Sequence, residues 1–174
     1  MKNLEIKVRC QDVLHAHRAA SSLGIEKQWT VIQKDTYFQV PRGKLKLREA
    51  DGFSAELIAY SRPQENEGKI SHYDIIRTDR PQEMTALLSK ALPVELIVEK
   101  ERSLYLWENV RIHIDLVKGL GAFIEFEAPI NEPVDEQAAR HKLDHLIQTF
   151  NIHDQDLIAV GYFELLKSAN KKGI

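Results

Sequence analysis

A single cysteine, Cys10, in a chain of 174 residues excludes an internal disulfide and a cysteine-rich zinc site, and its neighbours carry no nucleophile signature. The thiol reads as buried or idle. No stretch approaches the roughly 20 apolar residues that cross a bilayer as a helix, and the first residues lack the apolar run of a secretory leader. The expectation is a soluble cytoplasmic protein with no membrane partner. A glycine-rich phosphate loop of the GxxxxGK[ST] kind is also missing, so phosphate would have to be held by side chains and not by a helix N-terminus. Positive charge is not in excess: a net charge of −2 argues against bulk electrostatic binding of nucleic acid and requires any basic chemistry to be concentrated. There are no internal repeats and no low-complexity tracts, and 43% hydrophobic content suffices for one domain, residues 1–174, with a sizeable core.

What the sequence does contain is period-two alternation, which places successive strand side chains on opposite faces. In Val110 to Ala128, two strands flank a turn with Gly119 and Gly121; Arg111, His113 and Asp115 share one face of the first, and Glu125 and Glu127 share one face of the second. Folding this hairpin would bring Asp115 towards both glutamates, and carboxylates so gathered repel one another unless a cation sits among them. The pattern repeats elsewhere. Leu4 to Val8 puts Glu5 and Lys7 with Asn3 and Arg9 on one side; Gln28 to Val40 aligns Gln33, Asp35 and Tyr37; and Lys44 to Glu49 aligns Lys44, Lys46 and Arg48. After the Asp51–Gly52 turn, Ser54 to Ser61 gives Glu56, Ile58 and Tyr60 the parity of Arg62, and in Val94 to Trp107 Lys100 and Arg102 share parity. Lys69 to Thr78 reads as a further strand, preceded by a polar loop at Gln64 to Gly68.

Helices are marked by Asp12 as an N-cap ahead of Val13, Ala16, Ala20 and Leu23, with Gly24 as the stop; by Pro81 ahead of Met84, Leu87, Leu88, Ala91 and Leu92; and by Ala138, Ala139, Leu143, Leu146, Ile147 and Phe150 after Pro133. The terminal ANKKGI reads as frayed. His141 and His145 can share a helical face, but without a third ligand they read as solvated and not as a zinc pair. About eight strands with short connections and three or four helices give an α+β fold. With helices covering the aliphatic faces outside, the charged faces line a closed or nearly closed eight-stranded antiparallel barrel. A lumen carrying both signs of charge suits a polyanion bound with a hard divalent cation, since carboxylates hold magnesium or manganese while Arg and Lys neutralise phosphate oxygens.

The segments NLEIK, QKDTYF, GKLKLRE, YSRP, VEKER, RIHID and GLGAFIEFE, in this order and spacing over nearly the whole chain, resemble the CYTH superfamily of triphosphate tunnel metalloenzymes, most closely its class IV adenylate cyclase-like subgroup. The resemblance implies an eight-stranded triphosphate tunnel with exterior helices and a Mg2+ or Mn2+ ion. By the same resemblance Glu5, Glu125 and Glu127 are metal carboxylates, Asp115 is a metal ligand or catalytic water-positioning group, and Lys7 is the motif lysine with a catalytic role. Lys46, Arg48, Arg62, Lys100, Arg102 and Arg111 would bind the triphosphate. The family's E-x-E-x-K opening is N-x-E-x-K here, so Asn3 offers a neutral oxygen where a carboxylate stands elsewhere. The implied activity is conversion of ATP to cyclic AMP and pyrophosphate; the alternatives are hydrolysis of inorganic, nucleoside or thiamine triphosphate, and a non-catalytic module that binds nucleotide or polyphosphate. Room is left for a homodimer.

Overall fold

The computed structural model describes residues 2–61, 70–130 and 136–171; the expected loop at Gln64 to Gly68 and the candidate ligand Arg62 lie outside the described residues. Eight strands, β1 (Lys2–Arg9), β2 (Lys27–Phe38), β3 (Lys44–Ala50), β4 (Ala55–Ser61), β5 (Ile70–Thr78), β6 (Val94–Trp107), β7 (Val110–Val117) and β8 (Gly121–Pro129), are joined by four α-helices: α1 (Val13–Ser22), α2 (Pro81–Ala91), α3 (Glu136–Thr149) and α4 (Tyr162–Lys171). The strands form a closed barrel in the order β1-β5-β4-β3-β2-β6-β7-β8, and every neighbouring pair is antiparallel. Closure rests on β1, which runs along β8 from Asn3↔Pro129 to Arg9↔Phe123 and meets β5 at its first residues, Lys2↔His72 to Leu4↔Ile70. A closed barrel leaves no edge strand to manage, and its pleat sends alternate side chains inward.

Outside the barrel, α1 and α3 cover the aliphatic face of β1, β7 and β8. Leu4, Val8, Ile112, Ile114, Ile124 and Phe126 pack there against Ala16, Ala19 and Ala20 of α1, Leu143 and Leu146 of α3, and Phe150 just after it. Asp12 caps α1 by accepting from the His15 amide at 2.9 Å, satisfying one of the orphan donors of the first turn. Met84, Leu88 and Leu92 pack over Phe38, Leu47 and Ala55 on the opposite wall. His145 stacks on Trp107 with ring centroids 5.0 Å apart, and among the described residues no group of three His, Cys, Asp or Glu is gathered as a metal site.

The third apolar cluster lies inside the barrel and closes one end of it. After α3 the chain makes one 3-10 turn (Asp154–Asp156), bridges Val8 through Leu157, and donates the Ile158 amide to the Lys7 carbonyl at 2.8 Å. This docking delivers Tyr162 and Phe163, at the start of α4, into a cluster with Tyr37, Val98, Val117 and Phe123. The lumen is therefore charged over part of its length and stoppered with aromatic and aliphatic side chains at one end. The expected charged lining holds for the cavity above the stopper, and the stopper itself was not foreseen. The tail differs too: α4 runs to Lys171, so the first part of the segment expected to fray is helical. Among the described residues no helix is long and apolar enough to cross a membrane.

Candidate active site

Above the aromatic stopper is a cavity of about 640 Å³, into which every strand sends side chains: Asn3, Glu5 and Lys7 from β1; Gln33 and Asp35 from β2; Lys46 and Arg48 from β3; Glu56 from β4; Arg77 from β5; Lys100 and Arg102 from β6; Arg111 and His113 from β7; Glu125 and Glu127 from β8. Of the candidates read from the sequence, Glu5, Lys7, Lys46, Arg48, Lys100, Arg102, Arg111, Glu125 and Glu127 are thus brought into one lumen. Asp115 is close by but does not line it.

Asp35 organises one wall. It sits directly opposite Arg48 in the β2–β3 ladder, two positions from the Tyr37↔Lys46 pair and so on the same face, and strand register delivers both cations to it. Arg48 donates to it through Nε (2.9 Å) and Nη2 (3.1 Å), Lys46 Nζ through a 2.8 Å contact, and Gln33 Nε2 at 3.0 Å. Burial by itself would raise the Asp35 pKa, but the Arg48 and Lys46 charges outweigh it and hold the carboxyl well below its usual range. Lys46 bears the opposite strain. Burial, reinforced by the Arg48 charge, pushes Lys46 down to about 8 despite its contact with Asp35.

A second network runs from β6 to β1. Arg102 grips Asp115 in a fork, Nε to Oδ1 at 2.7 Å and Nη2 to Oδ2 at 2.6 Å, and Nη2 also reaches Glu125 Oε2 at 2.8 Å. The Tyr162 hydroxyl donates to Asp115 Oδ2 at 2.7 Å, and Lys7 Nζ meets Glu125 Oε1 at 2.7 Å. Burial raises, and Lys7 and Arg102 more than reverse, the Glu125 pKa, which ends well below its ordinary value. Lys100 lies between the two networks, 3.9 Å from Asp115 Oδ2, and burial together with the Arg102 charge lowers it to about 7. Asp115 faces Phe123 in the β7–β8 register, not either glutamate. Its side chain is fully buried and both oxygens are bonded, to Arg102 and to the Tyr162 hydroxyl.

The third group lies furthest from the stopper along β1 and β8. Glu5 and Glu127 are register partners on the lumen face, like charges directly opposite across a ladder, an arrangement that favours a cation between them. Arg111 donates to Glu127 through Nε at 2.9 Å, and His113 Nε2 is 3.5 Å from its other oxygen. Burial lowers the His113 pKa, with the Arg102 charge adding to it, and its Nδ1 is buried without a hydrogen-bond partner. Glu5, Glu127 and Glu125 carry the oxygen donors that a hard divalent cation takes, but in this arrangement they are not gathered as a three-ligand site. Glu125 and Glu127 are ion-paired in this arrangement, so a cation would exchange places with Lys7 or Arg111 at those oxygens. Asn3 is buried on the same face and donates from Nδ2 to the Tyr73 hydroxyl at 3.3 Å, so the neutral motif position points into the lumen as alternation requires.

Comparison with known proteins fits this geometry. A family model for the CYTH domain matches residues 1–162. The chain belongs to the CYTH family. A protein of Methanocaldococcus jannaschii provisionally named an adenylate cyclase is 25% identical over 95% of this chain and 98% of its own. Among solved structures of this CYTH fold, a protein of Pyrococcus horikoshii superposes with a TM-score of 0.83 at 19% identity, covering 94% of this chain and 98% of that one. Another, from Hippeastrum, provisionally named an adenylyl cyclase and described as revealing a dominant triphosphatase activity, superposes with a TM-score of 0.66 at 18% identity, covering 96% and 95%. Sequence reasoning missed Asp35, His113 and Tyr162 as parts of the CYTH lumen. The first two carried a signal, since each shares strand parity with residues that were singled out; Tyr162 lies in a tail with no strand alternation.

Proposed function

We propose that the protein is a divalent-metal-dependent enzyme of triphosphate substrates whose reaction is cyclisation of ATP to cyclic AMP and pyrophosphate. The observation that carries this reading is the convergence of Lys46, Arg48, Lys100 and Arg102 in one lumen, with the two lysines held at about 8 and about 7 by burial and by the Arg48 and Arg102 charges. Cations under such strain gain most from a multiply charged anion, and forked or multiple Arg and Lys contacts suit phosphate oxygens. Glu5, Glu125 and Glu127 would hold magnesium or manganese, whose chemistry is further neutralisation of phosphate charge.

In this reading Lys46, Arg48, Lys100 and Arg102 bind and orient the triphosphate, and Lys7, 2.7 Å from Glu125, stands between the carboxylate wall and the phosphates. Arg111 adds charge near the carboxylates. Arg62 stays an expected phosphate ligand on sequence grounds alone. The ribose 3′-hydroxyl attacks the α-phosphorus, passes its proton to solvent water, and forms the new P–O bond as the bond to the bridging oxygen breaks and pyrophosphate departs. Positioning and electrostatic stabilisation do most of this work, since phosphoryl transfer asks for little covalent help. A second reading, hydrolysis of a triphosphate by water, is favoured by the activity ascribed to the Hippeastrum protein.

Incubation with ATP, inorganic triphosphate and thiamine triphosphate, each with magnesium or manganese, followed by chromatography, tests both. Cyclic AMP with pyrophosphate supports cyclisation, release of inorganic phosphate supports hydrolysis, and unchanged substrates in every mixture sink the enzymatic reading.

A further inference from the structure

Away from the stopper, the lumen wall bears an aromatic pair that belongs to none of the three apolar clusters. Trp29, near the start of β2, and Phe53, in the turn between β3 and β4, line the cavity with ring centroids 5.5 Å apart and planes tilted by 57°. Phe53 is 54% exposed although it is a large apolar side chain on a short turn, and Trp29 is only half-buried. Nearby aromatics differ: Tyr37 and Phe38 are buried in packing clusters, and Tyr60 packs against the Tyr37 cluster. From Trp29 the same face of β2 continues through Val31 to Gln33, and Val31 and Gln33 stand opposite Arg102 and Lys100 of β6. At about 3.3 Å per residue, the two cations lie about 7 and 13 Å along the strand from the indole. A pentose interposes a spacing of this order between a ring and its phosphate chain.

We infer that Trp29 and Phe53 form a clamp for a planar heteroaromatic ring carried on the triphosphate, so that the site selects an organic triphosphate over the inorganic one. This rests on the triphosphate reading above and names the substrate class of that site. Exposed rings gain by stacking on a flat π-face, and such stacking tolerates different rings, so the shared chemistry is that of a nucleobase or of the thiamine ring system. Next to the clamp, Leu104, opposite Trp29, supplies an apolar floor.

Two measurements test it. In a Trp107→Phe background, where Trp29 is the remaining tryptophan, stopped-flow mixing with ATP quenches fluorescence before turnover, inorganic triphosphate does not, and Phe53→Ala weakens the ATP response about tenfold. In Trp29→Ala the KM for ATP rises about tenfold, while inorganic triphosphate inhibits ATP turnover with an unchanged constant. Thiamine triphosphate as a parallel ligand assigns the ring: tighter ATP binding means a nucleobase, the reverse means thiamine. Equal affinity for the ringed and ringless ligands in the parent, or equal losses for both in the variants, overturns the clamp and leaves phosphate binding intact. Failure of ATP, thiamine triphosphate and inorganic triphosphate alike to bind overturns the triphosphate reading and the clamp with it.

Discussion

The β2–β3 wall and the β1–β8 wall face each other across the same lumen with opposite excesses of charge. On the first, Lys46 and Arg48 share a single carboxylate, Asp35; on the second, Glu5, Glu125 and Glu127 are set against Lys7, with Arg111 reaching in from β7. The first wall holds its aspartate ionised and strains its lysine, and the second holds Glu125 and Glu127 ionised with neighbouring cations. A phosphate chain answers the first imbalance and a divalent cation the second. Barrel closure places the two answers within one cavity, and Lys100 and Arg102 of β6 stand between them.

The largest effect should come from Asp35→Ala. Removing the one carboxylate leaves Lys46 and the Arg48 fork buried and uncompensated, which costs on the order of 3–5 kcal/mol. Thermal unfolding would show the loss, and added inorganic triphosphate should restore much of it by replacing the missing negative charge. A variant as stable as the parent, or one that the anion does not rescue, would erase the asymmetry between the walls. On the opposite wall, Glu127→Ala should abolish metal-dependent turnover while lowering stability by about 1 kcal/mol or less, because Arg111 is over one-third exposed and returns to solvent. Parallel losses of folding and turnover would assign Glu127 a structural role instead.

These contrasts also mark how far the sequence could be read. Alternation alone placed Asn3, Glu5 and Lys7 on one face and Lys46 with Arg48 on another, because a strand's period of two is local and needs no knowledge of its neighbours. Partner choice was not legible. Asp35 could be seen to share a face with Gln33 and Tyr37, but its position opposite Arg48 depends on the β2–β3 register, which no residue of either strand declares alone. Register also separated Asp115 from the glutamates: Phe123 stands opposite it, and only the reach of the Arg102 side chain rejoins Asp115 to Glu125. Tyr162 was invisible for a different reason. Its place in the lumen is set by the docking of Leu157 and Ile158 on β1, a contact between chain ends that leaves no periodic trace.

Lys100 and Lys46 sharpen the comparison by pH. Their folded pKa values, about 7 and about 8, lie below the ordinary lysine value of 10.5, so between pH 7 and 10.5 the unfolded chain binds more protons. Stability without ligand should therefore rise with pH across that window, until other groups titrate. A bound triphosphate favours the charged amines, so binding at pH 8 should take up between about one and two protons and binding below pH 6 almost none. Calorimetry in buffers of different ionisation heat reads this directly. Lys100→Met should remove much of the uptake and raise KM while lowering turnover, without the instability of Asp35→Ala, since Asp115 keeps Arg102 and Tyr162. Proton uptake unchanged in that variant would place the phosphate chain away from Lys100.

The smallest effect is expected at Asn3, where the carboxylate wall is one charge short of the family's opening motif. Its side chain is buried beside Tyr73 on the face shared with Glu5 and Lys7, so Asn3→Glu adds a carboxylate to the wall that already has an excess of them. At low metal the added like charge should raise the pKa of a neighbouring glutamate and cost a little stability; with magnesium or manganese present it should be neutralised and strengthen the metal's hold. The two curves of melting temperature against metal concentration would then cross, the variant starting below the parent and ending above it. A role for Asn3 confined to its hydrogen bond with Tyr73 predicts something else, a constant offset between parallel curves at every metal concentration. Crossing curves would mean that the carboxylate wall is the metal's side of the lumen, and parallel ones would remove the comparison's second half.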